Sequence, residues 1–347
     1  MTDRRAARGE YATPAGRRRA TGRSRTAPLV SVVTPFYNSA PYLRECIESV
    51  LAQSYAAWEY VLLDNCSTDG SGEIAREYAR RDRRIRFVKA DVHLPQLANY
   101  NRALRLISQA GVYCKMVQAD DWLFPECLER MVAVAEARPG VAIVGSYLLN
   151  GGTRVRGQGL QYPARVVAGR DACRVHLLQR LSLFGTPTSV LYRSDVVRAR
   201  EPFYPESSLA ADSEACYEIL GTRDFGFVYQ VLAYAREEDD SITGRTLRFN
   251  PFLLNDLILL RKYGPVYLTP DEFESRWKTL SQEYFRFLGA RALRGADPSF
   301  WEYHRRGWAA MGERLGRVRL TRYALGAVVD LALNPKATLE RLLDHRS

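Results

Sequence analysis

Short β-branched runs and segments of helical periodicity alternate along residues 28–150 of this chain. The run at 29–34 is followed by a segment in which Leu43, Cys46, Ile47 and Val50 recur at helical spacing. Strands that alternate with helices in this way form a mostly parallel sheet, because each parallel pair needs a crossover helix. The sequence therefore predicts an α/β fold with a mostly parallel central sheet flanked by helices.

The same patterns predict the later elements. The predicted strands are 60–63, 85–88, 113–117, 141–149, 189–192 and 225–234, and the predicted helices are 99–107, 125–137, 171–179 and 212–220. From about residue 247 the pattern is helical to the end and includes a long helix at 273–293. This predicts a helical C-terminal appendage on the α/β domain.

Positive charge is concentrated at the N-terminus. The 347 residues carry a formal net charge of +11, and residues 1–25 hold eight arginines against only Asp3 and Glu10. Because segment 1–28 is also poor in large apolar residues, it is predicted to be a disordered basic arm. We therefore expect three regions: the arm at 1–28, a catalytic domain at 29–245 and a helical region at 246–347.

Cysteine and apolar patterns indicate the compartment. Six dispersed cysteines show no C-x-x-C pair and no zinc-finger spacing, which favours reduced thiols in a cytoplasmic protein. No run of eighteen uncharged apolar residues is present, so no transmembrane helix is predicted. The basic arm and the basic, partly apolar stretch 317–333 predict a peripheral contact at the inner face of the membrane.

Two adjacent acids, Asp120 and Asp121, follow the predicted strand 113–117. Ligands of open α/β sheets bind at this carboxyl edge. Paired carboxylates suit a hard cation such as Mg²⁺ or Mn²⁺, which usually neutralises a phosphate. The acids thus predict a cation site for a diphosphate, although the dipeptide alone is more typical of a solvated turn.

Several common nucleotide and hydrolase motifs are missing. Pro35-Phe36-Tyr37-Asn38 follows the first strand where a Rossmann site has G-x-G-x-x-G, and no G-x-x-x-x-G-K-[ST] occurs. The four histidines are scattered and no G-x-S-x-G elbow accompanies them. Carboxylate and metal chemistry is the class that remains.

Taken together, several motifs resemble the family 2 glycosyltransferases of the A fold. They are Val32-Val33-Thr34-Pro35-Phe36-Tyr37-Asn38, Asp64-Asn65-Cys66-Ser67-Thr68-Asp69-Gly70, and Asp120-Asp121-Trp122-Leu123 with Pro125. The resemblance covers roughly residues 29–240. It implies inverting transfer of a sugar from a nucleoside diphosphate sugar to a hydroxyl of a glycan or glycolipid, in the synthesis of a cell-envelope or other surface glycan.

The resemblance also implies roles for residues of the donor pocket. Pro35, Tyr37 and Asn38 would line the nucleotide, and Asp64 with Asn65 would contact base and ribose. Asp69 is either part of that pocket or a helix cap.

Further implied contacts concern the diphosphate and the donor sugar. Asp120 matches the metal-binding end of the family's D-x-D, with Asp121 as the extra acid, and Gln118 stands where the family has Asp. Asn99, in a segment that matches the family's loop beside the donor sugar, would contact that sugar. Arg236, before the late loop 239–243, would contact the diphosphate or else form a surface ion pair.

A general base is needed because an alcohol is a poor nucleophile until its proton is leaving. Asp212 matches the family's base motif, and Glu214 is a competing candidate in the same helix start. Asp212 is also read as an ordinary helix N-cap.

Two other functions remain open at this point. A sugar nucleotidyltransferase also uses carboxylates and Mg²⁺, but it needs a Gly-rich basic loop after the first strand, which is absent. A nucleic-acid-binding protein would use the arginine-rich arm, yet the body shows no recognition motif. Binding of nucleic acid is therefore not expected.

Overall fold

A computed structural model describes residues 26–157, 160–179, 181, 183–237, 249–293 and 295–333. Two predicted features lie outside these ranges: the basic arm, apart from residues 26–28, and the loop 239–243. The boundary expected at residues 245 and 246 also lies outside them and stays a prediction.

Ten strands of the described residues form one sheet. They are β1 (Val30–Phe36), β2 (Trp58–Asp64), β3 (Ile85–Lys89), β4 (Tyr113–Met116), β5 (Trp122–Leu123), β6 (Val141–Asn150), β7 (Arg154–Arg156), β8 (Val166–Ala168), β9 (Val190–Arg193) and β10 (Asp224–Ala235). The strands lie in the order β3-β2-β1-β4-β9-β6-β10-β5, with β7 beside β6 and β8 beside β10.

Helices connect and cover these strands. They are α1 (Ala40–Leu51), α2 (Ser71–Arg81), α3 (Gln96–Arg105), α4 (Cys127–Ala135), α5 (Gly169–Gln179), α6 (Ser194–Arg198), α7 (Ala211–Leu220), α8 (Pro251–Tyr267), α9 (Pro270–Leu293), α10 (Pro298–Ala310) and α11 (Arg317–Leu333). None of the helices in the described part of the chain has an apolar stretch long enough to cross a bilayer.

The sheet is largely parallel. Strands β1 to β4 pair in parallel, and β6 and β10 form a second parallel pair. β9 runs antiparallel between β4 and β6, which restores the common direction on its far side. The α/β prediction is therefore confirmed, and the carboxyl ends of β1, β2 and β4 meet at one edge.

Successive side chains of β1 enter different cores. Val33 packs with Val61 on one face, and Val32 packs with Tyr60 on the other. Side chains alternate across a strand, so burial on both faces gives the continuous apolar runs seen in the sequence.

The C-terminal helices share one of these cores. Leu254 of α8 and Trp308 of α10 are buried in the cluster that contains Val33. Tyr217 of α7 stacks on Tyr263 of α8 with ring centroids 4.6 Å apart. The helical region predicted as an appendage thus packs against the α/β domain through apolar contacts.

One predicted helix start was wrong, and one strand was not predicted. Helix α3 begins at Gln96 instead of residue 99, because Pro95 supplies an extended residue before a helix start. Asn99 lies within this helix, as the predicted helix 99–107 has it, so the segment that matches the family's loop is helical from Gln96 onward. No sequence pattern indicated β5, which pairs antiparallel with β10 and stacks the Trp122 ring on Tyr234 at 4.9 Å.

Candidate active site

The loops after β1 and β2 are hydrogen-bonded to each other. Asn38 has a positive φ of 47°, a conformation that asparagine tolerates better than most residues. Its backbone N donates to Ser67 Oγ (3.0 Å), and its Oδ1 accepts from Thr68 N (2.8 Å). Asn38 therefore connects the two loops that the nucleotide would touch.

Asp69 caps both helices that leave these loops. Its Oδ2 accepts from Ala40 N of α1 (2.9 Å), and its Oδ1 accepts from Ser71 N of α2 (3.0 Å). An acid at two helix N-termini satisfies backbone donors that have no partner within the helix. The capping interpretation of Asp69 agrees with these contacts.

Asp64 ends β2 and is buried. Its Oδ1 accepts from Ser67 N (2.7 Å), which fixes the carboxylate within the loop. A Cβ on Gly72 would come within 2.8 Å of Asp64 Oδ2, so the glycine lets α2 pass against the acid. Pro35 lies in β1 opposite Leu63, one position before the β1 partner of Asp64.

Asn65 connects the nucleotide loops to the start of α3. Its Nδ2 donates to Leu94 O (2.8 Å), and its Oδ1 accepts from Leu94 N (3.0 Å). Both ends of the amide are used, so the contact of Asn65 with base or ribose stays a prediction. Tyr37 is half exposed, and its ring centroid lies 4.4 Å from that of His93, which precedes Leu94 in the loop after β3.

Both carboxylate oxygens of Asp121 face the protein interior. Oδ2 accepts from Thr188 Oγ1 (2.5 Å), and Oδ1 accepts from the backbone N of Arg236 (3.2 Å). Burial and the neighbouring Asp120 charge raise the pKa of Asp121 to about 7. The Asp121 carboxylate is therefore held by Thr188 and the Arg236 backbone, and its metal ligation stays a prediction.

Thr188, just before β9, forms hydrogen bonds with Gln118, Asp121 and Lys115. Its hydroxyl accepts from Gln118 N (3.1 Å) while donating to Asp121, and its carbonyl accepts from Lys115 Nζ (2.5 Å). Lys115 is fully buried in β4, and burial lowers its pKa. No motif marked Thr188, which is about seventy positions from the acids in sequence.

The Gln118 side chain reaches α3. Its Nε2 donates to Tyr100 Oη at 3.1 Å. Burial and the Asp120 charge both raise the pKa of Tyr100, so Asp120 lies near this ring. Asn99 beside it is buried, and its Oδ1 has no hydrogen-bond partner among the described residues.

Arg236 lies over the acids but is already paired. Its Nε donates to Asp120 O (3.3 Å), and a terminal nitrogen bonds Glu45 (2.5 Å). Its guanidinium carbon lies 4.7 Å from the centre of the Tyr42 ring. Arg236 thus forms an ion pair with Glu45 of α1, whereas the predicted partner was Glu237 or Glu238. A diphosphate contact would require Arg236 to exchange Glu45 for the phosphate.

The two candidate bases differ in their surroundings. Glu214 is buried and bonds Lys262 Nζ and Ser208 Oγ, both at 2.6 Å. Asp212 is partly exposed at the second position of α7, and its Oδ1 accepts from Ser213 N (2.8 Å). Burial raises the pKa of Asp212. Glu214 therefore anchors α8, which favours Asp212 as the reactive acid.

The charges of both candidate acids act on one aromatic pair. The ring centroid of Tyr100 lies 6.3 Å from that of Tyr204. Burial raises the pKa of Tyr204, and the Asp212 charge adds to this. The Asp120 charge thus acts on one ring of the pair and the Asp212 charge on the other.

The oxygen ligands available suit a hard cation. No three His, Cys, Asp or Glu side chains come together in the described ranges as a ready-made metal cage. Mg²⁺ and similar ions are usually bound by one or two carboxylates and substrate phosphates instead of a complete protein cage. Asp120 beside Gln118 fits that mode.

The chain is similar in sequence to known glycosyltransferases. Residues 31–200 match the family described as Glycosyl transferase family 2. An uncharacterized protein, y4gI, of Sinorhizobium fredii is 42% identical over 139 residues, which are 38% of this chain and 15% of y4gI. The putative teichuronic acid biosynthesis glycosyltransferase TuaG of Bacillus subtilis is 36% identical over 105 residues, 30% of this chain and 41% of TuaG. The matches thus span less than half the length of these relatives.

Solved structures share the fold. S. aureus TarS 1-349 aligns with a TM-score of 0.58 at 17% identity, over 81% of this chain and 80% of that one. The mannosyltransferase PcManGT of Pyrobaculum calidifontis, in complex with GDP-Man and Mn²⁺, aligns with a TM-score of 0.50 at 18% identity, over 87% and 80%. The family match assigns residues 31–200 to the family 2 glycosyltransferases, and the solved structures show that the fold is shared.

Proposed function

We propose that this protein transfers a sugar from a nucleoside diphosphate sugar to an acceptor hydroxyl, with inversion at the anomeric carbon. The observation that carries the proposal is a match to family 2 over residues 31–200, in which the charge of Asp120 acts on Tyr100 and the charge of Asp212 acts on the neighbouring Tyr204. One acid serves the leaving diphosphate, and the other serves the incoming hydroxyl.

The donor lies against the loops after β1 and β2. Tyr37 and Asn38 line the nucleotide, Asp64 accepts from base or ribose, and Asn99 offers its unpaired Oδ1 to the donor sugar. A buried acceptor without a partner is costly, so a hydroxyl that donates to Asn99 would recover that hydrogen bond. The solved relatives in complex with UDP-GlcNAc and with GDP-Man support a donor of this class.

Asp120 would hold a divalent cation, Mg²⁺ or Mn²⁺. When bound, such an ion neutralises charge on the departing diphosphate. Gln118 adds no charge here, and its amide instead fixes Tyr100. Thr188 and Lys115 keep Asp121 in place below.

Asp212 takes the acceptor proton. Its raised pKa lies closer to neutral pH than that of an ordinary aspartate, which suits a general base. The attack comes from the side of Asp212, opposite the diphosphate, and a single displacement of this kind inverts the anomeric configuration.

The acceptor is proposed to be a glycan or glycolipid of the cell envelope. The naming of TuaG, for teichuronic acid biosynthesis, supports this class.

We further propose a cytoplasmic protein that touches the inner face of the membrane. Val318 and Leu325 of α11 are 87% and 62% exposed beside the exposed Arg322. Apolar side chains among arginines suit an anionic lipid surface, where each basic residue contributes about 1 kcal/mol.

A donor panel tests the reaction. UDP- and GDP-sugars would be incubated with the full chain, with Mn²⁺ or with chelator, and products followed by mass spectrometry and NMR. We expect release of a nucleoside diphosphate and a product of inverted configuration. Formation of a nucleoside triphosphate and a sugar 1-phosphate on addition of pyrophosphate would instead identify a nucleotidyltransferase, and retention at the anomeric carbon would refute the base mechanism.

Liposome sedimentation tests the membrane contact. We expect phosphatidylglycerol vesicles to bind the full chain, phosphatidylcholine vesicles not to, and deletion of residues 1–25 or Leu325→Asp to weaken binding. Binding that neither change alters would count against the contact.

Nucleic-acid binding by the full chain that is lost on the same deletion, without any donor binding, would favour the nucleic-acid alternative.

A further inference from the structure

A groove of about 680 Å³ lies between α3 and the segment 201–207, outside the donor loops. Its volume is within the range of small-molecule sites. Phe203 is buried beneath it, and Pro202 and Pro205 add apolar surface. The groove has no role in the donor site described above.

The chain path connects this groove to the proposed base. β9 runs antiparallel, so its carboxyl end and the following α6 lie at the sheet edge opposite the acids. Segment 199–210 then returns toward α7, which carries Asp212. The groove therefore extends along α3 from the far edge to Ser207, and the next residue, Ser208, bonds Glu214 in the first turn of α7.

The groove walls are fixed in place. Asn101 Nδ2 donates to Tyr204 O (2.9 Å), and Tyr204 N donates to Asn101 Oδ1 (2.8 Å). At the far end, Arg105 donates to the carbonyls of Val197 (2.5 Å) and Arg200 (2.8 Å). Such a groove exists before a ligand binds, which lowers the entropy cost of binding.

The formal charges of the residues that line the groove cancel. Arg102 and Arg105 face Glu201 and Glu206, so the formal charge of the lining is zero. Neither Arg102 nor Glu201 forms an ion pair with another described residue. Guanidinium and carboxylate groups beside Pro202 and Pro205 suit a ligand with hydroxyls on an apolar ring. A polyanion would find no net attraction here.

We propose that the groove binds the acceptor as a neutral saccharide chain, with its terminal sugar at Asp212 and the preceding sugars along α3 toward Arg105. The proposal rests on the proposed function only in taking Asp212 as the base. Arg102 and Glu201 of the groove lining would then select the acceptor.

Ligand-observed NMR on the full chain tests this proposal. The probes are cellotriose, maltotriose and chitotriose as neutral saccharides and trigalacturonate as the acidic one. We expect at least one neutral probe to bind at millimolar concentration and trigalacturonate to bind more weakly. The double variant Arg102→Ala with Glu201→Gln should weaken neutral binding by about tenfold or more, because hydrogen bonds to charged groups are among the stronger ones.

A matched pair on α4 is the control. Arg130→Ala with Glu126→Gln removes an exposed ion pair away from the groove and should leave saccharide binding unchanged. Thermal unfolding checks that both double variants fold. The proposal is overturned if no neutral probe binds, if trigalacturonate binds more tightly, or if the groove variant matches the control. Donor binding, measured separately by thermal shift, should be the same in all chains; its absence from the wild type would contradict the proposed function instead.

Discussion

The donor side and the acceptor side of the site are assembled over different distances in sequence. The loops after β1 and β2 are joined by hydrogen bonds between residues 29 to 32 positions apart, such as Asn38 to Thr68 at 30. On the acceptor side, Asn101 bonds Tyr204 across 103 positions. The two nucleotide loops of the donor side are thus joined by contacts between the ends of neighbouring strands β1 and β2, whereas the acceptor side depends on contacts across the whole domain.

This difference predicts separable effects of substitution. Changes in the donor loops should alter donor affinity, and changes around α7 should alter chemistry or stability. Asp120 lies between the two sides and should affect the reaction most.

Asp120→Asn tests the largest expected effect. The amide keeps the size of the side chain but removes the charge that the proposed cation needs. Metal assistance supplies several kcal/mol, so we expect turnover to fall by at least about 10⁴-fold. Turnover would be measured across a Mn²⁺ titration, and Mn²⁺ binding directly by calorimetry.

The control for this experiment is Asp91→Asn, which changes an exposed acid after β3. It should retain activity and Mn²⁺ binding. Full activity of wild-type enzyme in excess chelator would remove the metal from the mechanism, whatever the variant does.

Asp212→Asn tests the acceptor side. General-base catalysis contributes about 10²- to 10⁴-fold, so kcat should fall by that order while donor affinity stays unchanged. Steady-state kinetics with donor binding measured separately distinguishes the two quantities.

Glu214→Gln is the matched variant two positions away. Because Glu214 bonds Ser208 and the half-exposed Lys262, its loss should lower the free energy of unfolding by about 1–2 kcal/mol and leave kcat near the wild-type value. If Glu214→Gln lowers kcat and Asp212→Asn does not, the base has been assigned to the wrong residue.

The two sides also differ in how well the sequence revealed them. The α/β fold and the acids at strand ends were predictable, because hydrophobic periodicity and strand-end position are local properties. Asp69 as a helix cap was also readable, since its partners Ala40 and Ser71 follow from the same two loops.

Contacts across the sheet were not predictable from the sequence. Thr188 lies in a short Gly-Thr-Pro-Thr run with no motif, yet it bonds Asp121 across 67 positions. Likewise, the choice between Asp212 and Glu214 depends on Lys262, which only folding brings beside α7. Such pairings follow from the three-dimensional path of the chain and leave no periodic signal.

Asp64→Asn tests the donor side. Asp64 is buried and accepts from Ser67 N, so the amide should weaken a charged hydrogen bond in the loop and one to the nucleotide. We expect donor affinity to fall by about tenfold, near the lower end for hydrogen bonds to charged groups, with little change in kcat at saturating donor. An unchanged dissociation constant for the donor would remove Asp64 from the pocket.

The smallest expected effect is a pH dependence of the free energy of unfolding that comes from Asp121, which bonds Thr188 and the Arg236 backbone. Its pKa is raised to about 7 from an ordinary 3.8, so the native state keeps a proton that the unfolded chain releases. The unfolded state therefore binds fewer protons between about pH 4 and 7, and the free energy of unfolding falls as pH rises through that window. Above about pH 7 this group adds no further change.

Asp121→Asn should remove this contribution in chelator-treated protein. The amide does not ionise, so the Tm of the variant relative to wild type should rise between pH 5 and pH 8, on the order of a few °C. Subtracting the two curves cancels the other carboxylates, and Asp91→Asn, which alters an exposed acid, should give a flat difference. A flat difference for Asp121→Asn as well would mean that Asp121 ionises in the folded protein as it does in the unfolded chain, and that Thr188 and the Arg236 amide offset its burial completely.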